Sequence, residues 1–420
     1  MGEWGNGRMG KWENGEMGEW VTCGKIFFVD SRAERIKYMG VGILVGALSG
    51  LLSALFLFSL EAVTLIFSKN NWLLYFLPLG GLVIGGLYWK LGKSSDRGND
   101  VIKDEVKFPF EKMPILMALL IFVSTLITHL FGGSAGREGT AVQITTSVAD
   151  QFSSLFGLKN EKRPWILRMA ISGGFAAVFG TPLAGLFFSL EYILIGKKDW
   201  NLIFPSFLSA GVAHWVCLKV GVEHINYEID TPIIFDKLNG GVYLLIAIVV
   251  GLLAALYMVL QKLLTKGINR LVEHRVLRTM IGGVVVAAII LSFDLQDYSG
   301  LSLEIITNSF FSSQEFYVPL IKIVLTALTL SFGFKGGEVT PLFMIGAAAG
   351  SCIGGYFNVP LDWMAAMGFV AMFGAVMKSP VTGAVIALEI FAPEIFGVAI
   401  GVCLIAYIIP KLLLAKMKLV

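Results

Sequence analysis

The sequence predicts an all-α polytopic membrane protein built of two related halves, each interrupted by broken helices. Three observations predict it. Of 420 residues, 56% are hydrophobic and 15% charged, and the mean hydropathy of +0.76 lies outside the range of soluble domains. Long apolar runs recur along the chain. About 20 apolar residues cross a hydrocarbon core as a helix, because every backbone polar group must be satisfied within the segment. Finally, short motifs of the first half return in the second. The alternating pattern that a transmembrane β-barrel needs is absent.

The elements follow in order. The chain opens with Met1-Gly-Glu-Trp-Gly-Asn-Gly-Arg8, Met9-Gly-Lys-Trp-Glu-Asn-Gly-Glu16 and Met17-Gly-Glu-Trp20, a repeat of period eight. It has no apolar stretch of the signal-peptide kind and little to bury, so residues 1–35 are expected to be a disordered cytoplasmic segment without a role. Apolar runs then cover roughly 37–67, 71–91, 111–131, 164–179, 183–196, 202–221, 240–265, 276–293, 315–333, 341–357, 362–377, 380–391 and 394–414. Several are too short to span. Short segments broken by Gly and Pro are tolerated at membrane depth where protein or a water-filled cavity surrounds the exposed backbone, which points to a transporter and not a simple bundle.

Basic residues set the expected orientation. Lys25, Arg32, Arg35 and Lys37 precede the first run, and Lys90, Lys93, Arg97, Lys103, Lys107 and Lys112 follow the second, whereas the turn between has only Lys69. Both basic flanks are therefore expected in the cytoplasm, with the N-terminus inside, and Lys266, Arg270 and Arg275 mark a further cytoplasmic loop. The net charge of +3 is explained by topology and implies no nucleic-acid partner. Cys23, Cys217, Cys352 and Cys403 share no metal-ligand spacing, nor do His129, His214, His224 and His274, so neither a metal site nor a disulfide framework is expected.

The internal repeat carries more information. Phe179-Gly-Thr-Pro182-Leu-Ala-Gly185-Leu-Phe-Phe-Ser-Leu-Glu191 parallels Ala375-Val-Met-Lys-Ser-Pro380-Val-Thr-Gly383-Ala-Val-Ile-Ala-Leu-Glu389: in both, Gly follows Pro by three and Glu by nine. Gly136-Arg-Glu138-Gly-Thr140 likewise parallels Gly336-Gly-Glu338-Val-Thr340. In each half a glycine-rich loop carrying a glutamate precedes a helix. Helix N-termini expose unpaired N–H groups and about half a positive charge, so two of them converging at membrane depth make an anion site. Pro341 suits a first helical turn, where its missing N–H costs nothing.

These motifs resemble those of the CLC family of chloride channels and proton-coupled anion antiporters. Gly132-Gly-Ser-Ala-Gly-Arg-Glu-Gly-Thr-Ala-Val-Gln143 is similar to the family's Gly-Arg-Glu-Gly-Pro loop, with Thr140 in place of proline, and Phe334-Lys-Gly-Gly-Glu-Val-Thr-Pro341 to its Gly-Gly-x-Phe-x-Pro loop. The resemblance covers about residues 36–405 and implies two inverted repeats with re-entrant helices, about 36–221 and 240–414 within a 36–414 transmembrane domain, followed by a short tail at 415–420 without a regulatory domain. It also implies a homodimer in the cell's inner (plasma) membrane.

Departures from the chloride members narrow the resemblance. Their Gly-Ser-Gly-Ile-Pro loop supplies a serine to the ion, but the corresponding stretch here is Arg97-Gly-Asn-Asp-Val-Ile102. With Gly-Arg-Glu-Gly-Thr and Gly-Gly-Glu-Val-Thr-Pro, this resembles the bacterial branch that exchanges fluoride for protons. The resemblance then implies Glu138 as gate and proton carrier, and Asn99, Gly136, Arg137, Gly139, Thr140, Gly337, Glu338, Val339, Thr340 and Tyr407 around the anion. The second proton-carrying glutamate of chloride antiporters would fall at Tyr192. Partners are then fluoride and protons, with chloride the alternative, and no cofactor or metal.

Plainer readings stand beside these. Glu138 also fits a helix start electrostatically, Arg137 fits loop ordering, Thr140 a cap, and Thr340 and Asn99 either a cap or an ion contact. Glu191 and Glu389 read as structural. Three functions compete: fluoride/proton antiport, chloride or nitrate transport or conduction on the same fold, and an intramembrane enzyme using Glu138. The last lacks a histidine–metal cluster or Ser/His partner.

Overall fold

The computed structural model describes residues 32–92, 95–191, 200–225, 227, 229 and 237–416. The period-eight repeat, Cys23, Lys25, Lys93 and Tyr192 lie outside the described residues. Among the described residues there are sixteen α-helices and no strand, one isolated β-bridge apart. The first eight are α1 (Arg32–Lys69), α2 (Leu77–Leu91), α3 (Asn99–Lys107), α4 (Ile115–Leu130), α5 (Glu138–Gln151), α6 (Arg163–Phe179), α7 (Pro182–Glu191) and α8 (Ile203–Val220). The second eight are α9 (Lys237–Leu271), α10 (Arg275–Ser292), α11 (Leu303–Phe311), α12 (Tyr317–Ser331), α13 (Val339–Phe357), α14 (Leu361–Val376), α15 (Pro380–Ile390) and α16 (Phe396–Lys416).

The two sets repeat one pattern of lengths. Helices α1 and α9 have 38 and 35 residues, α3 and α11 have 9 each, and α7 and α15 have 10 and 11. Among the described residues, seven helical segments are long and apolar enough to cross a membrane by length and composition. Several others are too short to do so, as broken helices must be, and two of them, α7 and α15, pack on each other across the repeats. Helices α3 and α11 were not among the expected apolar runs. Each buries an apolar pair four residues apart, Ile102 and Val106 or Ile306 and Phe310, the second together with Ser309. So narrow a buried stripe suffices for a short helix but leaves no long apolar run to detect.

Packing follows small residues. On α1, Gly42, Gly46 and Gly50 lie one above another against Pro205, Ser209 and Ala213 of α8, and a Cβ on Gly42 would come within 2.5 Å of the Pro205 carbonyl oxygen. This close approach is how helices associate where lipid is as apolar as their side chains. Helices α6 and α14 are buried almost throughout and form the centre. By contrast, Leu44, Leu51 and Leu55 of α1 and Leu244, Leu252 and Leu263 of α9 face outward, as a lipid-facing surface requires. Trp72, Tyr75 and Trp89 are exposed near the two ends of α2, where amphipathic rings anchor a span at the interface.

Candidate anion site at the repeat interface

Two loops build the site, one between α4 and α5 and one between α12 and α13. Each opens on a glycine in the left-handed region, Gly132 at φ 77° and Gly333 at φ 100°. The loops then pair with each other: the Gly136 N–H donates to the Gly337 carbonyl at 2.6 Å, and the Gly337 N–H to the Gly136 carbonyl at 2.7 Å. This bridge sets the N-termini of α5 and α13 side by side. Buried His129 braces the first loop, its ring nitrogens 2.9 and 3.1 Å from the carbonyls of Thr125 and Ala135.

Between the two N-termini lies the Glu138 carboxylate, 2% exposed. Its Oε2 accepts from the backbone N–H groups of Arg137 and Thr340, each at 3.1 Å. The Thr340 hydroxyl donates to its Oε1, and the Arg137 Nε stands 3.8 Å from the same oxygen. A side-chain carboxylate of one repeat thus takes the hydrogen-bond donors at the helix start of the other.

Space opens on both sides of Glu138. One small cavity, about 30 Å³, is bounded by Arg137, Glu138, Phe179, His224, Tyr227 and Thr340 among others. Through His224, Ile225 and Phe179 it meets a wide cavity of about 640 Å³. On the other side a cavity of about 10 Å³ is lined by Asn99, Glu138, Gly139, Val142, Phe175, Phe188, Val339 and Met377. One water-sized particle needs about 10–15 Å³ by this measure, so the smaller space is at the limit for a single small ion.

Asn99 stands at the start of α3 with a buried Oδ1 that takes no hydrogen bond from the described residues. Its Nδ2 lies where a Cβ on Gly139 would be only 3.0 Å away, so glycine at that position lets the amide approach. The Asn99 loop is itself tied to the α13 loop. Asp96 accepts from Arg275 and, at 3.2 Å, from Lys335 Nζ, which also donates to the Asp96 carbonyl at 3.3 Å.

Not every expected residue converges. The Thr140 hydroxyl turns toward α4 and pairs with the Thr125 hydroxyl at 2.9 Å. The Glu338 side chain turns away from the cavities and accepts from the Tyr257 hydroxyl at 2.9 Å, although its own residue opens α13. Tyr407 lies on α16 with Lys411 5.7 Å from its ring centre and lines neither small cavity, because α16 packs on α9, α14 and α15 at the flank. Gly136 and Gly337 form the bridge, while Arg137, Gly139, Val339 and Thr340 line the small cavities.

The residues expected from the sequence do not include an aromatic wall. Phe175 stacks on Phe188 at 4.4 Å, Phe343 on Phe369 at 3.7 Å, and Phe373 joins Phe175 at 6.0 Å. A signal existed: Phe175 and Phe373 differ by 198, the same offset as Pro182 and Pro380, so the repeat places both on the inner face. Glu191 and Glu389 act across the repeats as well. Glu389 accepts from the Leu183 and Ala184 N–H groups at 2.8 Å each, and Glu191 from the Val381 and Thr382 N–H groups at 3.0 and 2.6 Å. Each caps the helix whose end carries the other.

A family model described as voltage gated chloride channel matches residues 80–411. A chloride/fluoride channel protein of Pseudomonas syringae pv. tomato is 37% identical over 379 residues, 89% of this chain and 84% of that protein. Among solved structures, a CLC-type fluoride/proton antiporter superposes with a TM-score of 0.86 at 28% identity, covering 91% of this chain and 97% of that one. A slow cyanobacterial Cl−/H+ antiporter shares the fold with a TM-score of 0.76 at 18% identity over 90% of this chain and 95% of its own.

Proposed function

This chain belongs to the voltage-gated chloride channel, or CLC, family, and from that premise we propose that it exports fluoride across the cell membrane in exchange for protons. The observation that carries the reading is the Glu138 carboxylate bound to the Thr340 N–H and hydroxyl. A carboxylate there competes with a free anion for the same donors. Once protonated it loses its charge, releases the site and admits fluoride, so one group couples both ions.

Three features support fluoride over chloride. The space beside Asn99 is about 10 Å³. The donors facing it are compact: the Asn99 amide and the backbone N–H groups of the α5 and α13 starts at Gly139 and Val339, which replace the tightly held water of a small anion. The phenyl rings of Phe175 and Phe188 line the same space, and aromatic edges carry partial positive charge. The solved structure most alike in both fold and identity among those compared above is described as a fluoride/proton antiporter. The same reading assigns a homodimer in the inner (plasma) membrane with a cytoplasmic N-terminus, and no enzymatic step.

The second reading is chloride conduction or exchange, favoured by the word channel in the name of the Pseudomonas relative and by the cyanobacterial fold neighbour. Efflux from proteoliposomes, followed with fluoride and chloride electrodes and a pH probe, separates the two. Fluoride efflux well above chloride efflux, with proton movement in the opposite direction, is expected. Equal anion rates would sink the fluoride reading, and anion flux without proton movement would make the protein a channel.

A further inference from the structure

The segment that joins the two repeats, between α8 and α9, reaches the small cavity on the wide-cavity side of Glu138 and brings Tyr227 into its wall. Tyr227 is 9% exposed, and its ring is clamped by the second repeat. It stacks on Phe310 of α11, with centres 4.9 Å and planes 17° apart, and meets Phe369 of α14 at 5.7 Å and Phe391, just beyond α15, at 6.0 Å. Ring packing of this kind holds the phenol in place. Its hydroxyl lies within electrostatic reach of both Arg137 and Glu138, which belong to the first repeat.

That hydroxyl is unpaired among the described residues. A buried tyrosine hydroxyl ordinarily finds a partner, so an unpaired one in the wall of a cavity calls for an occupant that supplies it. The other polar groups of the wall are committed: the Thr340 hydroxyl donates to Glu138, and His224 holds the Ala177 carbonyl with Nε2 while its Nδ1 is closed off. The donors left are Tyr227 and the guanidinium of Arg137, whose side chain is 22% exposed. Val178, Phe179 and Leu303 make much of the remaining wall apolar. At about 30 Å³ the cavity has room for about one or two particles the size of water.

We propose that Tyr227 contacts the transported anion: its hydroxyl donates to a halide held in this cavity beside Arg137, between Glu138 and the wide cavity. The proposal rests on the reading that an anion passes Glu138. A phenol is a more acidic donor than an alcohol and carries no charge of its own, so it replaces water around a compact anion without adding a second fixed cation beside Arg137. An anion coming from the Asn99 side meets this pair once the Glu138 carboxyl has given way, and from there the wide cavity is open to it.

Tyr227→Phe removes one oxygen and keeps the ring contacts, so it isolates the hydroxyl. The test is initial anion flux through the full chain in proteoliposomes, measured against concentration for fluoride and chloride separately. Because the lost hydrogen bond is to a charged partner, KM for the transported anion should rise about tenfold or more, with the detergent melting temperature at its native value. Tyr356→Phe, at the exposed end of α13, should change neither. A native KM in Tyr227→Phe, whatever its maximal rate or melting temperature, would overturn the contact and leave the hydroxyl to water or to packing. The two readings fail separately. A native protein that carries chloride as fast as fluoride loses the fluoride assignment, and the KM ratio of Tyr227→Phe to native for chloride then decides the contact.

Discussion

Glu138 holds the start of α13 through both carboxylate oxygens, and this geometry decides what single substitutions should do. Glutamine keeps the shape but has no ionised form, so Glu138→Gln should abolish proton-coupled exchange in a pH-probe assay. Continued fluoride pumping against a gradient by that variant would remove Glu138 from the gate. Thr340 donates from both its backbone and its hydroxyl. Thr340→Ser should therefore be nearly silent. Thr340→Ala should leave the melting temperature close to native yet slow fluoride efflux about 10- to 100-fold, since a hydrogen bond to a charged partner is worth about 1.5–3 kcal/mol. If alanine instead lowers only the melting temperature, the hydroxyl is scaffold. Asn99→Ser puts a smaller hydroxyl in place of the amide beside Gly139, and should raise the chloride-to-fluoride efflux ratio.

At the scale of elements, helices α7 and α15 are held by exchange of caps. Glu389 serves the first turn of α7 and Glu191 that of α15. Removing one cap costs about 0.5–2 kcal/mol, because the N–H groups it served lose their acceptor. Glu191→Ala, which leaves the wide cavity's Glu389 in place, should lower the detergent melting temperature with the anion efflux ratio unchanged; an altered ratio with full stability would make Glu191 part of the transport path. The sequence showed both glutamates nine residues after a proline and their structural character. It did not show that each acts on the opposite repeat, since that needs the two helices to pass each other in space. The glycine stripe of α1 is similar: the spacing by four is legible, but its partner α8 is not.

For the whole molecule, the inverted pair of repeats places two helix starts and one carboxylate between a wide cavity and a narrow one. A device of this kind should run in either direction. An inward proton gradient is expected to drive fluoride out of liposomes against its own gradient, and a protonophore should halt that uphill movement. Uphill efflux that survives the protonophore would exclude coupling through protons.

The membrane setting, the repeat, the two glycine-rich loops and the glutamate at the start of α5 are all legible in the chain read alone. Each is written in local composition or spacing, because apolar runs, Pro-x-x-Gly and Gly-Arg-Glu-Gly act on their own neighbourhood. Which side chains share a space follows instead from how the helices pack. Thr140 turns to Thr125, Glu338 to Tyr257 and Tyr407 to the flank, while Phe188 and Phe343 line the small cavities beside Glu138. Tyr227, from the segment between the repeats, reaches the same cavity as Glu138. Which way a helix faces depends on what packs against it from hundreds of residues away, and that information lies in the contact between helices, not in either one.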